Sequence, residues 1–254
     1  MIAHRFSLLA ATLLSCFACQ NPNASNATNS TEANPDKPVF TALYGTPILD
    51  GSAADDVWEQ ADWYPLDQVW LGEKPDSNDF SGQYKLAWDE NNLYILAVIT
   101  DDSLTDTHPD GLEAYWDDDC LEVFLDEDSS GGDHQYNFNA FAYHIALDGK
   151  VVDIGPDSTF RFFDNHCLTR RITRDKISTW EVAVRIYDGN QYALDEENIP
   201  KLLSAGKTMG FALAYCDNDQ SPERENFIGS VVVPGKDKNV GWINADVFGQ
   251  LVLK

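Results

Sequence analysis

Residues 116–126, which read Trp-Asp-Asp-Asp-Cys-Leu-Glu-Val-Phe-Leu-Asp, contain the clearest structural signal in the chain. Leu121, Val123 and Leu125 alternate with their neighbours in the period-two pattern of a β-strand that has one face in a core. Glu122 therefore lies on the face opposite these aliphatic side chains. The tryptophan and the aspartates precede the strand, so we expect them to form a loop at its end.

The same alternation recurs along the chain and indicates an all-β protein. Residues 84–88 alternate, residues 89–92 have turn composition, and residues 93–100 form an apolar run, which together predict a β-hairpin. Further strands are predicted at residues 120–125, 135–139, 143–147, 160–163, 167–174, 180–186, 210–215, 227–233 and 249–253. Short helical turns are predicted at residues 52–60, where Ser52 and Asp55 have capping-box spacing, and at residues 199–203.

Many short strands separated by turns predict an antiparallel, jelly-roll-like β-sandwich. The length of 254 residues accommodates a targeting segment and one large domain. A hydrophobic content of 43% is sufficient for a substantial core. We therefore expect a single sandwich domain over residues 39–254.

The chain is strongly acidic, with a formal net charge of −25. Such a surface repels nucleic acid and anionic lipid headgroups, so we expect no nucleic-acid partner. Calcium and neutral ligands such as glycans suit it better. The alternative is that the charge only keeps an exported protein soluble.

Residues 1–19 have the features of a bacterial lipoprotein signal peptide. The apolar run of residues 6–14 follows His4 and Arg5, and it is too short to span a bilayer. It leads into Leu-Leu-Ser-Cys, which resembles a lipobox ending at Cys16, with Cys19 as the weaker candidate for lipidation. We expect an exported lipoprotein, anchored to the outer membrane on its periplasmic or cell-surface side.

Residues 20–38 are rich in Asn, Ser, Thr, Ala and Pro, which is typical of a flexible linker. The membrane contact is therefore expected to be made through the lipid alone. One cysteine carrying several acyl chains would provide a stable anchor.

Trp116 and Glu122 combine two groups that suit sugar recognition. An aromatic ring stacks on the apolar face of a pyranose, and a carboxylate accepts hydrogen bonds from its hydroxyl groups. In the alternative interpretation, Trp116–Glu122 belongs to an ordinary acidic turn and strand, and Glu122 pairs with a basic residue across the sheet.

Several segments occur in a characteristic order between residues 50 and 253. They are Asp50-Gly51 with Trp58, residues 85–89, Asn92-Leu93-Tyr94, residues 119–126, Gly210-Phe211-Ala212, Asp217-Asn218-Asp219, Trp242 and residues 248–251. Together they resemble a family 9 carbohydrate-binding module. The resemblance implies a calcium-carrying β-sandwich that binds without catalysis, with two tryptophans enclosing the terminal sugar of a glucan or xylan.

The resemblance also assigns site residues by matching position. Trp116 and Trp242 match the two tryptophans, and Glu122 matches the carboxylate that binds hydroxyl groups. The family also uses arginine and amide side chains in its cleft. The candidates here are Gln135, Asn137, Asn139 and, from a loop, Arg224.

The calcium implied by the resemblance needs six to eight oxygen ligands. Asp126, Glu127, Asp128 and Asp133 lie in a Ser/Gly-rich loop and are the predicted ligands. Their spacing differs from that of an EF-hand, and an acidic turn without metal is the alternative. The histidines are scattered without zinc-motif spacing, so zinc is not expected.

Cys120, Cys167 and Cys216 allow at most one disulfide, and the sequence does not indicate which two of them would form it.

The resemblance also implies polysaccharide-degrading enzymes as partners. The alternative functions are a glycoside hydrolase, a DOMON-like haem-binding domain using Met209, and a structural lipoprotein.

Overall fold

The computed structural model describes residues 37–108 and 110–254. Their strands are β1 (Val39–Tyr44), β2 (Tyr64–Leu66), β3 (Gln68–Leu71), β4 (Phe80–Trp88), β5 (Asn92–Asp101), β6 (Cys120–Asp126), β7 (Phe141–Ala146), β8 (Val151–Ile154), β9 (Phe160–Phe162), β10 (Cys167–Arg174), β11 (Ile177–Arg185), β12 (Thr208–Asp217), β13 (Asn226–Gly229) and β14 (Gly249–Leu253). Helix α1 (Asp56–Gln60) and a 3₁₀ turn (Ala245–Val247) are both short. The all-β prediction is therefore confirmed.

The strands form two sheets joined by β1. The first sheet has the order β10-β11-β5-β4, with β2 at the edge of β4; the second has the order β14-β12-β6-β7-β8-β9, with β13 and β3 continuing from β12. Residues 39–42 of β1 pair with β14, and Leu43 and Tyr44 pair with β4, both in parallel. The remaining pairings are antiparallel, which confirms the sandwich apart from this one strand.

Aromatic side chains fill the space between the two sheets. Phe80 of β4 stacks on Tyr215 of β12 with ring centroids 5.5 Å apart, and the Tyr84 and Phe211 centroids are 6.1 Å apart. The Tyr215 hydroxyl donates to Asp101 Oδ2 of β5 at 2.8 Å. The predicted aliphatic face of β6 is buried here, so the alternation identified the core face correctly.

The opposite face of β6 is buried as well, which the sequence pattern did not indicate. Phe124 lies on this face, and its ring centroid is 5.8 Å from that of Trp70 and 5.6 Å from that of Phe248. Gly241 packs against the same ring. This second aromatic layer covers part of the outer face of the sheet and leaves the part around Glu122 to border a cavity.

The predicted strand at residues 135–139 is wrong, because this segment is a series of turns and bends. Asn137 Oδ1 accepts the Asn139 backbone N–H at 2.8 Å, and Asn137 Nδ2 donates to the Asp133 carbonyl at 3.2 Å. These local bonds compete with strand pairing, as asparagine side chains commonly do. Buried Phe138 packs on Phe141, with ring centroids 5.4 Å apart.

Two helical predictions also need correction. Residues 199–203 are not helical, since Lys201 N–H bonds to the Ile186 carbonyl and Leu203 N–H to the Glu90 carbonyl. The capping box is absent at Ser52, and helix α1 begins after Asp55 without a side-chain cap. The predicted strand at residues 227–233 is too long, because β13 ends at Gly229.

Among the residues described, no helix combines the length and apolar character required to cross a membrane. Cys16, Cys19 and the linker up to residue 36 lie outside the described residues. The lipoprotein and linker predictions therefore stay predictions.

Candidate functional site

Four of the predicted ligand-binding residues, Trp116, Glu122, Arg224 and Trp242, line one cavity of about 310 Å³. They come from the loop before β6, from β6 itself, and from the loops that precede β13 and β14. Its other lining side chains include Tyr115, Tyr136, His144, Asp153, Phe160 and Asn239. The fold thus gathers residues that are far apart in sequence into one apolar cavity with a few polar groups.

Trp116 belongs to a packed aromatic wall. Its ring centroid is 5.1 Å from that of Tyr115 and 5.7 Å from that of Phe160. Tyr115 in turn contacts His144 edge-on, with centroids 4.6 Å apart. Ala114 precedes the pair with φ 49°, a left-handed conformation that costs a non-glycine residue about 1–2 kcal/mol. The Trp116 ring is therefore supported by neighbouring aromatic rings.

Hydrogen bonds tie the Trp116 loop to the Arg224 loop. The two carboxylate oxygens of Asp119 accept the Thr105 N–H at 2.6 Å and the Asn218 N–H at 2.8 Å. Asn218 Nδ2 donates to the Asp117 carbonyl at 2.5 Å, and the Arg224 N–H donates to Asp117 Oδ1 at 3.2 Å. The relative position of the two loops is thus set by hydrogen bonds between side chains and backbone groups, made by Asp117, Asp119 and Asn218, none of which lines the cavity.

Glu122 and His144 face each other across β6 and β7 at the floor of the cavity. Glu122 is only 2% exposed, and its Oε2 atom lies 3.1 Å from His144 Nε2. Burial lowers the pKa of His144, but the charge of Glu122 outweighs it and the net shift is upward. Glu122 therefore borders the cavity and also contacts a basic residue across the sheet, and its binding of hydroxyl groups stays a prediction.

Arg224 is held by an aromatic ring and a cysteine. Its guanidinium carbon lies 4.2 Å from the Phe227 ring centroid, and Nη1 donates to Cys216 Sγ at 3.0 Å. Burial raises the pKa of Cys216, but a hydrogen bond with Cys120 and the positive charge of Arg224 bring it to about 7. Arg224, which was predicted to reach the site from a loop, thus contributes a positive charge to the cavity and is held there by Phe227 and Cys216.

The amide candidates Gln135, Asn137 and Asn139 do not line the cavity. Asn139 Nδ2 instead donates to the Gly131 carbonyl at 2.6 Å, and Asn137 bonds within its own turn. Tyr136, from the same segment, does line the cavity and is 44% exposed. Tyr136 was not among the predicted site residues, because a strand over residues 135–139 would place the aromatic side chains on the face opposite the amide candidates.

Three of the predicted calcium ligands have hydrogen-bond or ion-pair partners, although the buried Asp126 Oδ1 has no partner among the described residues. Asp126 accepts a backbone N–H of its own loop, as does Asp128. Glu127 bonds to Lys207 and lies 3.6 Å from Lys201. The backbone of Asp133 forms an isolated antiparallel β-bridge with that of Asn244. These residues do not form a single cluster of ligand atoms, and calcium here stays a prediction.

Another group of carboxylates lies beside the Trp116 loop. Asp101, Asp119 and Asp217 are buried, and each places an oxygen within 4.8 Å of the others. Burial, together with the charge of Asp101, raises the pKa of Asp119 to about 9 and that of Asp217 to about 8. Asp217 Oδ2 has no hydrogen-bond partner among the described residues. Such an oxygen cluster has the donor atoms that calcium prefers.

Cys120, Cys167 and Cys216 are all free. Cys120 and Cys216 are directly opposite each other on β6 and β12, whereas Cys167 begins β10. Met209, named in the haem alternative, is fully buried in β12 and packs in the core.

A β-sandwich that carries a cavity with an aromatic wall and a few polar groups defines a ligand-binding module. A family profile described as "Carbohydrate family 9 binding domain-like" matches residues 48–254. The chain belongs to this family, whose members are non-catalytic carbohydrate-binding domains. The resemblance stated from the sequence, and the expectation that the domain is not an enzyme, are confirmed.

Relatives and solved structures agree with this assignment. The chain is 33% identical over 218 residues to the exoglucanase XynX of Acetivibrio thermocellus, covering 85% of this chain and 17% of that enzyme. It is 33% identical over 91 residues to endo-1,4-beta-xylanase A of Thermotoga neapolitana, covering 36% of this chain and 8% of that enzyme. The chain therefore spans only a small part of the curated relatives it matches.

The fold is similar to that of a family 9 carbohydrate-binding module from Caldicellulosiruptor kristjanssonii in complex with cellotriose. The TM-score is 0.64 at 22% identity, covering 85% of this chain and 94% of that one. A structure of a module from the same organism in complex with glucose gives a TM-score of 0.60 at 21% identity, covering 85% and 96%.

Proposed function

We propose that the cavity binds the terminal sugars of glucan or xylan chains. The observation that carries the proposal is the convergence of Trp116, Trp242, Glu122 and Arg224 on one cavity. The indole rings supply flat apolar surface for pyranose faces, and the carboxylate and guanidinium offer an acceptor and donors for hydroxyl groups. Cellotriose and glucose in the similar structures support this class of ligand.

The size of the cavity favours a short ligand segment. Its volume of about 310 Å³ is at the lower end of the range for small-molecule sites. It therefore suits a sugar unit or a disaccharide rather than a long stretch of polymer. Loops from several strands surround it, which favours entry of a chain end over passage of a continuous chain.

The proposal is tested by calorimetric titration of the full chain with glucose, xylose, cellobiose and xylobiose. Saturable heat is expected with the disaccharides. An intact xylan is then compared with the same mass of xylan after digestion by a xylanase. Binding that rises with the number of chain ends supports end recognition. The absence of heat with every sugar, from a folded protein, would exclude the proposed function.

We also infer that the ligands are substrates or products of polysaccharide-degrading enzymes, which act as its functional partners. The support is that the similar proteins include an exoglucanase and xylanases. In the digestion experiment, this inference requires enzymatic products to compete with the polymer for the cavity.

We propose calcium as a structural ion and favour Asp101, Asp119 and Asp217 as its ligands. Their buried carboxylates repel each other, and a divalent cation would remove that repulsion. At a free calcium concentration of about a hundred times Kd, the ion would add about 2.7 kcal/mol to the free energy of unfolding. We expect chelation to lower Tm by about 5–10 °C, measured by differential scanning calorimetry.

Two conservative variants distinguish the two candidate calcium sites. Asp217→Asn is expected to abolish the calcium-dependent shift in Tm, whereas Asp128→Asn in the acidic loop leaves it unchanged. The reverse result would place the ion in the loop of Asp126, Glu127, Asp128 and Asp133. No shift in the wild-type chain would rule out a stabilising calcium ion at either place.

We further propose that residues 1–19 direct export and that Cys16 carries the lipid anchor of a bacterial lipoprotein. The apolar run and the lipobox-like sequence support this proposal. We expect Cys16→Ser to move the protein from the membrane fraction to the soluble fraction. Cys19→Ser is the matched control and should stay with the membrane. If only Cys19→Ser is released, Cys19 is the lipidated residue.

A further inference from the structure

We propose that Cys120, Cys216 and His144 form a binding site for a zinc-like divalent transition metal beneath the floor of the sugar cavity. The proposal does not depend on sugar binding. It concerns a set of ligands that are scattered along the sequence and come together on three neighbouring strands.

The strand register places the three side chains on one face of the second sheet. Cys120 of β6 lies directly opposite Cys216 of β12. Glu122, two residues further along β6, is on the same face and lies directly opposite His144 of β7. All of these side chains are buried. A ligand atom from each of Cys120, His144 and Cys216 lies within 4.8 Å of the other two.

The donor set matches the coordination chemistry of zinc. Two sulfurs and one imidazole nitrogen are a known set of protein ligands for this metal, which is usually tetrahedral. His144 Nδ1 lies 3.4 Å from the Ala142 carbonyl, and its Nε2 lies near Glu122. A weak bond from Nδ1–H to that carbonyl would leave Nε2 free to ligate, the usual arrangement for a metal-bound histidine.

A buried carboxylate oxygen provides a second observation. Glu122 Oε2 is fully enclosed and has no well-oriented hydrogen-bond partner among the described residues, although His144 Nε2 is 3.1 Å away. A cation between the two groups would satisfy both. Glu122 Oε2 can complete the coordination of the metal, while its other oxygen is available to the cavity that Glu122 lines.

With both cysteines deprotonated, as metal binding requires, the charges of this group balance when a divalent cation is present. Two thiolates and the Glu122 carboxylate carry three negative charges, and Arg224 supplies one positive charge. Arg224 Nη1 donates to Cys216 Sγ at 3.0 Å, which is the kind of contact that supports a metal-bound thiolate. A divalent ion would make this buried group neutral, which is the condition for burying charges at low cost.

The test uses the full chain, freshly reduced and kept in calcium to fill any calcium site. It is titrated with Co²⁺, whose bonds to thiolate give a charge-transfer absorption band, and then with Zn²⁺ as a competitor. We expect one Co²⁺ per chain at this site and its complete displacement by Zn²⁺. Zinc content measured by elemental analysis provides a second readout.

Matched variants assign the ligands. Cys120→Ser, Cys216→Ser and His144→Asn are expected to weaken Co²⁺ binding at least a hundredfold, whereas Cys167→Ser, which removes a buried cysteine elsewhere, leaves it unchanged. Every variant retains Cys16 and Cys19, so any Co²⁺ binding by these two residues contributes equally to the wild-type and variant measurements. Circular dichroism of each variant separates loss of binding from loss of folding.

Two results would overturn the proposal. The first is a wild-type chain that gives no more thiolate-to-cobalt absorption than the Cys120→Ser/Cys216→Ser double variant. The second is a metal-free protein that, when purified without reductant, has a mass lower by two hydrogens at this cysteine pair. That result would identify the pair as a cross-strand disulfide. Neither result bears on sugar titrations of the wild-type chain.

Discussion

Replacement of Trp116 by alanine is expected to weaken the binding of cellobiose or xylobiose by at least about thirtyfold. Truncation of an aromatic anchor in a well-packed site costs about 2 kcal/mol or more, and each 1.4 kcal/mol is a tenfold change in Kd. Tyr115 and Phe160 hold the ring in place, so little ordering is required when the ligand binds. The measurement is calorimetric titration of the wild-type and variant chains.

Two further tryptophan variants make this result specific. Trp242→Ala should cause a comparable loss, because Trp242 lines the same cavity. Trp63→Ala is the control: Trp63 is 44% exposed, lies outside the cavity lining, and its ring is 4.6 Å from Lys85 Nζ. If Trp116→Ala binds like wild type, the aromatic wall does not contact the sugar.

The sequence predicted the strands that have a strong local signal. The alternation around Leu121 and the turn after Trp88 depend on neighbours in the chain, so a single sequence carries enough information to place β4, β5 and β6. Residues 135–139 show the limit of this reasoning. Their alternation suggested a strand, but asparagine side chains bonded to nearby backbone groups produced a turn instead.

The site could be predicted only in part, because local sequence does not show which strands and loops come together in the fold. Trp116 and Glu122 share one strand and its loop, and the family resemblance supplied Trp242. Arg224 was identified only as a candidate, and nothing local marked Tyr136 or His144. The pairing of β6 with β7 places His144 in the cavity, and a long-range contact between loops places Arg224 there.

The cysteine–histidine cluster shows this most clearly. The sequence contains no zinc motif, because such motifs place their ligands a few residues apart. Cys120, His144 and Cys216 lie on three separate strands and meet only through the register of the sheet. Sequence spacing cannot reveal a site that is assembled across strands.

Replacement of Glu181 by alanine is expected to lower the free energy of unfolding by about 3–5 kcal/mol, because removal of a buried charged partner leaves its donors unsatisfied. Glu181 on β11 is fully buried. Its Oε2 accepts the Asp50 N–H at 2.9 Å and the Gly51 N–H at 2.6 Å, and its Oε1 accepts Trp58 Nε1–H at 3.0 Å. Urea unfolding, followed by tryptophan fluorescence, measures the loss.

This carboxylate also explains why Asp50-Gly51 and Trp58 occur together in the sequence. Gly51 has φ 78°, and an added Cβ would lie 2.7 Å from Ile172, so the turn that reaches Glu181 requires glycine. Glu90→Ala is the matched control: Glu90 is exposed and its carboxylate accepts one bond, from the Tyr44 hydroxyl at 2.7 Å, so a change within about 0.5 kcal/mol is expected. Equal effects of the two substitutions would show that Glu181 does not hold this segment to the sheet.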